Sequence, residues 1–133
     1  MKKRYFLILF PVVSLLFLSC GGETTGDGSN TSKSSAITIG SNSTFTTTAI
    51  NASAGDTITV TNNDSTVHTV TSESAVDKFD KTSSFNTGDI SPGGGTKTFT
   101  IPTASVGDKF FYYCDHHKGS MSPASGTITI VTK

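Results

Sequence analysis

Between Phe110 and Met121 the chain reads FFYYCDHHKGSM. Two of its three histidines and its one internal methionine fall within seven residues of Cys114. These side chains are thiolate, imidazole and thioether donors. Cys114 is followed by His117 after two residues and by Met121 after three more, a spacing that lets one strand-to-loop segment wrap three side chains around one centre. Soft sulfur suits Cu(I) and imidazole accommodates Cu(II), so the set points to copper. A fourth donor must come from elsewhere. His68, in TNNDSTVHTVTS, is the one other histidine that is not a neighbour of His117.

The cysteine count bears on this reading. The chain holds two cysteines, Cys20 and Cys114, and Cys20 has a separate destination. Lys2-Lys3-Arg4 followed by the apolar run Phe6–Leu18 has the form of an export signal. That run is too short for a hydrocarbon core, which needs about 20 residues. Phe17-Leu18-Ser19-Cys20 resembles a bacterial lipobox, which implies cleavage before Cys20 and lipidation of its thiol. Cys114 is then unpaired in an oxidising compartment. An intermolecular disulfide, an inert buried thiol and a metal thiolate are the three outcomes open to it.

The elements that must position these residues follow from composition and periodicity. Residues 1–19 form the expected signal. Cys20 and the polar stretch Gly21–Ser35, which has no apolar residue, form a tether of roughly 20 Å by random-coil scaling. From Ala36 to Lys133 apolar residues alternate with period two, and no 3.6-residue stripe appears. The spacing predicts strands over Ala36–Ile39, Phe45–Ile50, Thr57–Asn62, His68–Thr71, Thr96–Ile101, Lys109–Cys114 and Gly126–Val131. Gly- and Asn-rich turns separate them, which predicts one all-β, antiparallel sandwich. Ser72–Ile90 is left as a helix or a loop. In the penultimate strand Phe110, Tyr112 and Cys114 share one face, and Phe111 and Tyr113 the other. Ten cations balance ten anions, so no basic face suggests nucleic acid.

Three blocks, in order, resemble the cupredoxins, the small blue copper proteins, and among them the plastocyanin and pseudoazurin branch. They are GDTITVTNNDSTVHTV, FNTGDISPGGGTKTFTI and FFYYCDHHKGSM with the following GTITI. The resemblance implies a Greek-key sandwich over residues 36–133. It implies one copper ion cycling between Cu(I) and Cu(II), with His68, Cys114 and His117 as equatorial ligands and Met121 axial. It also implies that Thr69 braces the ligand loops, and that Tyr113 lies outward beside the thiolate with Phe110, Tyr112 and Cys114 inward. Three residues, Lys118, Gly119 and Ser120, separate His117 from Met121, against four in plastocyanin-like and two in amicyanin-like loops. A register using His116 would restore four, at the cost of a tight C-x-H, so His117 is the expected ligand and His116 an exposed loop residue.

The functional expectation is a non-enzymatic, monomeric carrier of single electrons. It is tethered by lipid to a membrane in the bacterial cell envelope, facing the periplasm or the surface. It would exchange electrons transiently with redox proteins such as cytochromes or a terminal oxidase or reductase. The alternative is a copper-sequestering or copper-delivery lipoprotein, which would be expected to expose Met- or His-rich tracts that this chain lacks.

Overall fold

The alternation of apolar residues becomes burial in the computed structural model, which describes residues 33–133. In the first strand Ile37 and Ile39 point inward; in the last, Ile128 and Ile130 do the same. Eight strands form among the described residues: β1 Ala36–Gly40, β2 Thr44–Phe45, β3 Ala49–Ala52, β4 Thr57–Asn62, β5 Thr71–Glu73, β6 Gly95–Thr100, β7 Lys109–Tyr113 and β8 Ser125–Ile130. A 3-10 turn, Asp115–His117, follows β7.

The strands make two four-stranded sheets, ordered β2-β1-β4-β6 and β3-β8-β7-β5. Both faces contribute to one apolar core: Ile37, Ile58 and Val60 come from the first sheet, and Ile50, Tyr112 and Ile128 from the second. Phe45 meets Tyr112 edge-on across the layers, with ring centroids 5.2 Å apart. The all-β sandwich is therefore as expected. Each sheet also contains one parallel pair, β1 with β4 and β3 with β8, beside its antiparallel pairs.

Two expected strands differ. Phe45–Ile50 is not one strand: β2 pairs with β1 in the first sheet, whereas β3 pairs with β8 in the second. The chain changes sheet through Thr46–Thr48. Thr46 donates its amide to Thr38 O at 3.0 Å, while Thr48 O accepts from Thr127 N at 2.7 Å, so the crossing leaves these backbone groups paired. The strand expected over His68–Thr71 begins later, at Thr71; His68 itself makes only an isolated bridge to Ile90. The undecided segment Ser72–Ile90 holds β5 and loops, with no helix. Asp77, Phe79 and Lys81 take left-handed φ values of 60°, 53° and 37°, and this loop lays Phe79 edge-on to Tyr113 at 5.5 Å. Tyr113, on the outer face of β7, is consequently buried as well. The expected signal, Cys20 and the tether up to residue 32 lie outside the described residues.

Candidate metal centre

Cys114 stands at the end of β7 on the inward face and is fully buried. It is the free cysteine of the described residues. The 3-10 turn brings the next donor back: His117 N donates to Cys114 O at 3.1 Å, and Ser120 N donates to His117 O at 3.0 Å. Gly119, at φ 70°, supplies the left-handed residue that this short return needs. His117 Nδ1 thereby lies 3.4 Å from Cys114 Sγ. Met121 is 4% exposed and belongs to the same buried cluster as Cys114.

His68 arrives from the other sheet's connection, the loop after β4. Asn62, fully buried, shapes that loop: its side-chain amide donates to Thr66 O at 2.8 Å and Ile90 O at 3.0 Å, and its oxygen accepts from Asp64 N at 3.0 Å. The backbone bridge between His68 and Ile90 fixes the exit. The imidazole is completely buried. Its Nε2 lies 2.8 Å from Asp64 Oδ2 and 3.0 Å from Thr66 Oγ1, while its Nδ1 lies 3.5 Å from Cys114 Sγ. The His68 and His117 rings are 4.5 Å apart.

The ligating atoms of His68, Cys114 and His117 all lie within 4.8 Å of one another. Metal bonds of about 2.0–2.3 Å to nitrogen and sulfur require donors spaced on this scale. The donor set fits a copper ion: two imidazoles and a buried sulfur. Burial, and the neighbouring His68 and His116, push the His117 pKa below its ordinary value, favouring the neutral ring that ligates metals. The Asp64 carboxyl is held well below the usual range, first by the His68 hydrogen bond and then by the Ser65 amide.

Of the residues singled out from sequence, His68, Cys114 and His117 converge and Met121 joins the same core, while His116 stays outside. Its side chain is about half exposed and its Nε2 lies 2.7 Å from Asp89 Oδ1. Thr69 braces both loops: its amide donates to Cys114 Sγ at 3.3 Å, and its Oγ1 accepts from Asp115 N at 2.8 Å. Asp64 and Ser43 were not foreseen. Ser43 donates to Asp64 Oδ2 through its amide at 3.1 Å and its hydroxyl at 3.3 Å. The one available signal was an aspartate four residues before His68, which reads equally well as turn chemistry.

The sequence pattern described as copper binding proteins, plastocyanin/azurin family, matches residues 32–131. Among curated proteins none matches this chain. Solved structures resemble it in fold. A novel purple cupredoxin from Nitrosopumilus maritimus has a TM-score of 0.60 at 20% identity, covering 74% of this chain and all of that one. A reduced Cu(I) form of an amicyanin mutant at pH 4 has a TM-score of 0.52 at 17% identity, covering 72% and 80%. A mutant plastocyanin of fern has a TM-score of 0.54 at 21% identity, covering 72% and 99%.

Proposed function

Because the chain belongs to the plastocyanin/azurin family of copper-binding proteins, we propose that it carries single electrons, with one copper ion held by His68, Cys114, His117 and Met121. The carrying observation is the approach of two imidazole Nδ1 atoms to 3.5 and 3.4 Å from one buried sulfur. Copper bound there supplies a one-electron couple between Cu(I) and Cu(II).

The protein's own contribution is to hold the donors still. His68 is gripped through Nε2, and the Cys114 sulfur accepts a hydrogen bond from the Thr69 amide. Asp115 N, bound to Thr69 Oγ1, ties the ligand loop to the His68 loop. Little rearrangement is then required between oxidation states, and a buried sulfur keeps water away. His117, only partly buried, is the ligand nearest solvent and the exit for the electron.

The wider setting belongs to the same proposal and rests on the amino terminus. Cys20 carries lipid, residues 21–35 tether the domain 36–133, and the carrier works in the bacterial cell envelope with redox proteins such as cytochromes. Among the described residues, His68, His117 and Met121 are gathered at the centre and His116 sits beside it. No exposed Met- or His-rich tract for copper delivery exists among them.

The test is the visible and paramagnetic-resonance spectrum of copper-loaded protein. An intense thiolate-to-copper band, lost in Cys114→Ser with the fold retained, is the expected result. Absence of the band in the wild type, or copper passed to an apo-acceptor without redox cycling with a cytochrome, would overturn electron carriage.

A further inference from the structure

Asp64 is 5% exposed and receives five donors: Ser43 N and Oγ, Ser65 N, Thr66 Oγ1 and His68 Nε2. A carboxylate is acceptor-only, so its 2.8 Å contact with His68 requires the imidazole proton to sit on Nε2. That leaves the lone pair on Nδ1, the atom facing Cys114 Sγ. The geometry points to Asp64 as the positioning residue of the copper site: it selects the His68 tautomer, locks the ring, and biases the bound metal toward the higher oxidation state. This inference rests on the copper reading above.

Three observations carry it. The contact is a buried charge-assisted hydrogen bond, which is shorter and stronger than a neutral one. The carboxylate is itself immobilised, because Ser43 grips Oδ2 from a turn whose Asn42 and Ser43 both have left-handed φ, 63° and 51°. A backbone held there against steric preference implies surroundings that over-determine it. Finally, the same serine reaches the other ligand loop, since Ser122 N donates to Ser43 O at 3.2 Å beside Met121. One turn of the first sheet therefore steadies both ends of the donor set.

The electrostatic consequence has a sign. A carboxylate bonded to the outer nitrogen makes an imidazole a better donor, and removing such a partner typically costs 10–100-fold in metal affinity or activity. A full negative charge beside the ligand stabilises Cu(II) more than Cu(I). Asp64→Asn should therefore lower the preference for Cu(II) over Cu(I) by about tenfold, which is a rise of about 59 mV for a one-electron couple.

The experiment has two arms. In the first, the full-length protein is loaded with copper, and wild type and Asp64→Asn are compared by redox titration and paramagnetic resonance. A potential raised by roughly that amount with an altered spectrum supports the proposal; an unchanged potential and spectrum overturn it. In the second, nitrogen NMR of the metal-free wild type reads the His68 tautomer at neutral pH. A proton on Nε2 supports the orienting role, and one on Nδ1 overturns it. This arm stands if Asp64→Asn does not fold. It also stands if the wild type shows no blue copper signal, in which case electron carriage fails and the tautomer still decides the role of Asp64.

Discussion

The backbone amide of Thr69 donates to the sulfur of Cys114 across 3.3 Å, while its hydroxyl receives the amide of Asp115 at 2.8 Å. One residue of the His68 loop thus satisfies groups on two consecutive residues at the start of the ligand-bearing loop. Thr69→Ala keeps the amide but removes the acceptor, leaving the part-buried Asp115 N–H without its partner. Such an orphaned donor costs about 1–3 kcal/mol. Urea unfolding of the metal-free protein should show a loss in that range, and the copper spectrum of the variant should broaden as the loop gains freedom. Equal stability of wild type and Thr69→Ala would show that water replaces the hydroxyl.

The donor set was legible because its chemistry is scarce: a chain of 133 residues has two cysteines, three histidines and two methionines. The strands were legible wherever inward isoleucines alternate with threonines, as in ITVTN of β4 and TITI of β8. The break at Thr46–Thr48 was not. Phe45 and Ile50 are both buried yet five residues apart, on opposite phases of the alternation, but the three threonines between them suit either sheet, so the residue types do not fix where the partner changes. The burial of Tyr113 was equally hidden. Its cover is Phe79, and the left-handed Asp77, Phe79 and Lys81 that deliver it carry none of the glycines by which such turns announce themselves. In the sequence Asp64 is indistinguishable from punctuation between strands because aspartate is common in turns, and its bond to His68 depends on a loop shape that Asn62 imposes from inside the core.

Gly126 lies directly across from Tyr112 in the β7–β8 ladder, and the Tyr112 ring lies over it. A Cβ added at Gly126 would fall inside contact distance of the ring, 2.6 Å from Cε2 and closer still to Cζ and Oη. The ring has little room to retreat, since its hydroxyl donates to Thr47 O at 2.6 Å and the Phe45 ring packs nearly perpendicular to it. Gly126→Ala should destabilise the protein by about 1–3 kcal/mol through overpacking. In a double-mutant cycle with Tyr112→Leu the two losses should be clearly non-additive, as read by chemical denaturation.

Alkaline pH should weaken the fold through the two tyrosines of the sandwich. Burial pushes the Tyr112 phenol well above its ordinary 10.0. Tyr113 is pushed up to about 12, by burial first and then by its hydrogen bond to Asp115. Both folded-state values exceed the unfolded one, so the stabilisation is complete below about pH 10 and is lost as pH rises through 12. Thermal unfolding across pH 8 to 12 should show a falling midpoint above 10, with phenolate absorbance from these two residues appearing together with loss of structure. Tyr113→Phe should flatten part of the slope; an unchanged slope would assign the alkaline loss to other groups.

Removing the metal should leave the sandwich standing. The donors are positioned by groups that exist without an ion: Asn62 shapes the His68 loop, the Thr69 amide meets Cys114, and Ser120 N closes on His117 O. The core of isoleucines, phenylalanines and Tyr112 lies beneath them and contains no metal donor other than Cys114 and Met121. This is unlike a small zinc domain, whose fold is supplied by its ion. Chelated protein should therefore retain its far-ultraviolet β spectrum and a cooperative transition. Adding copper to a free concentration 100 times its dissociation constant should raise stability by about 2.7 kcal/mol. Cys114→Ser should keep the metal-free transition near that of the wild type and lose most of the copper-dependent increment. Collapse of the β spectrum on chelation would instead make the ion part of the fold, and the preformed site would have to be abandoned.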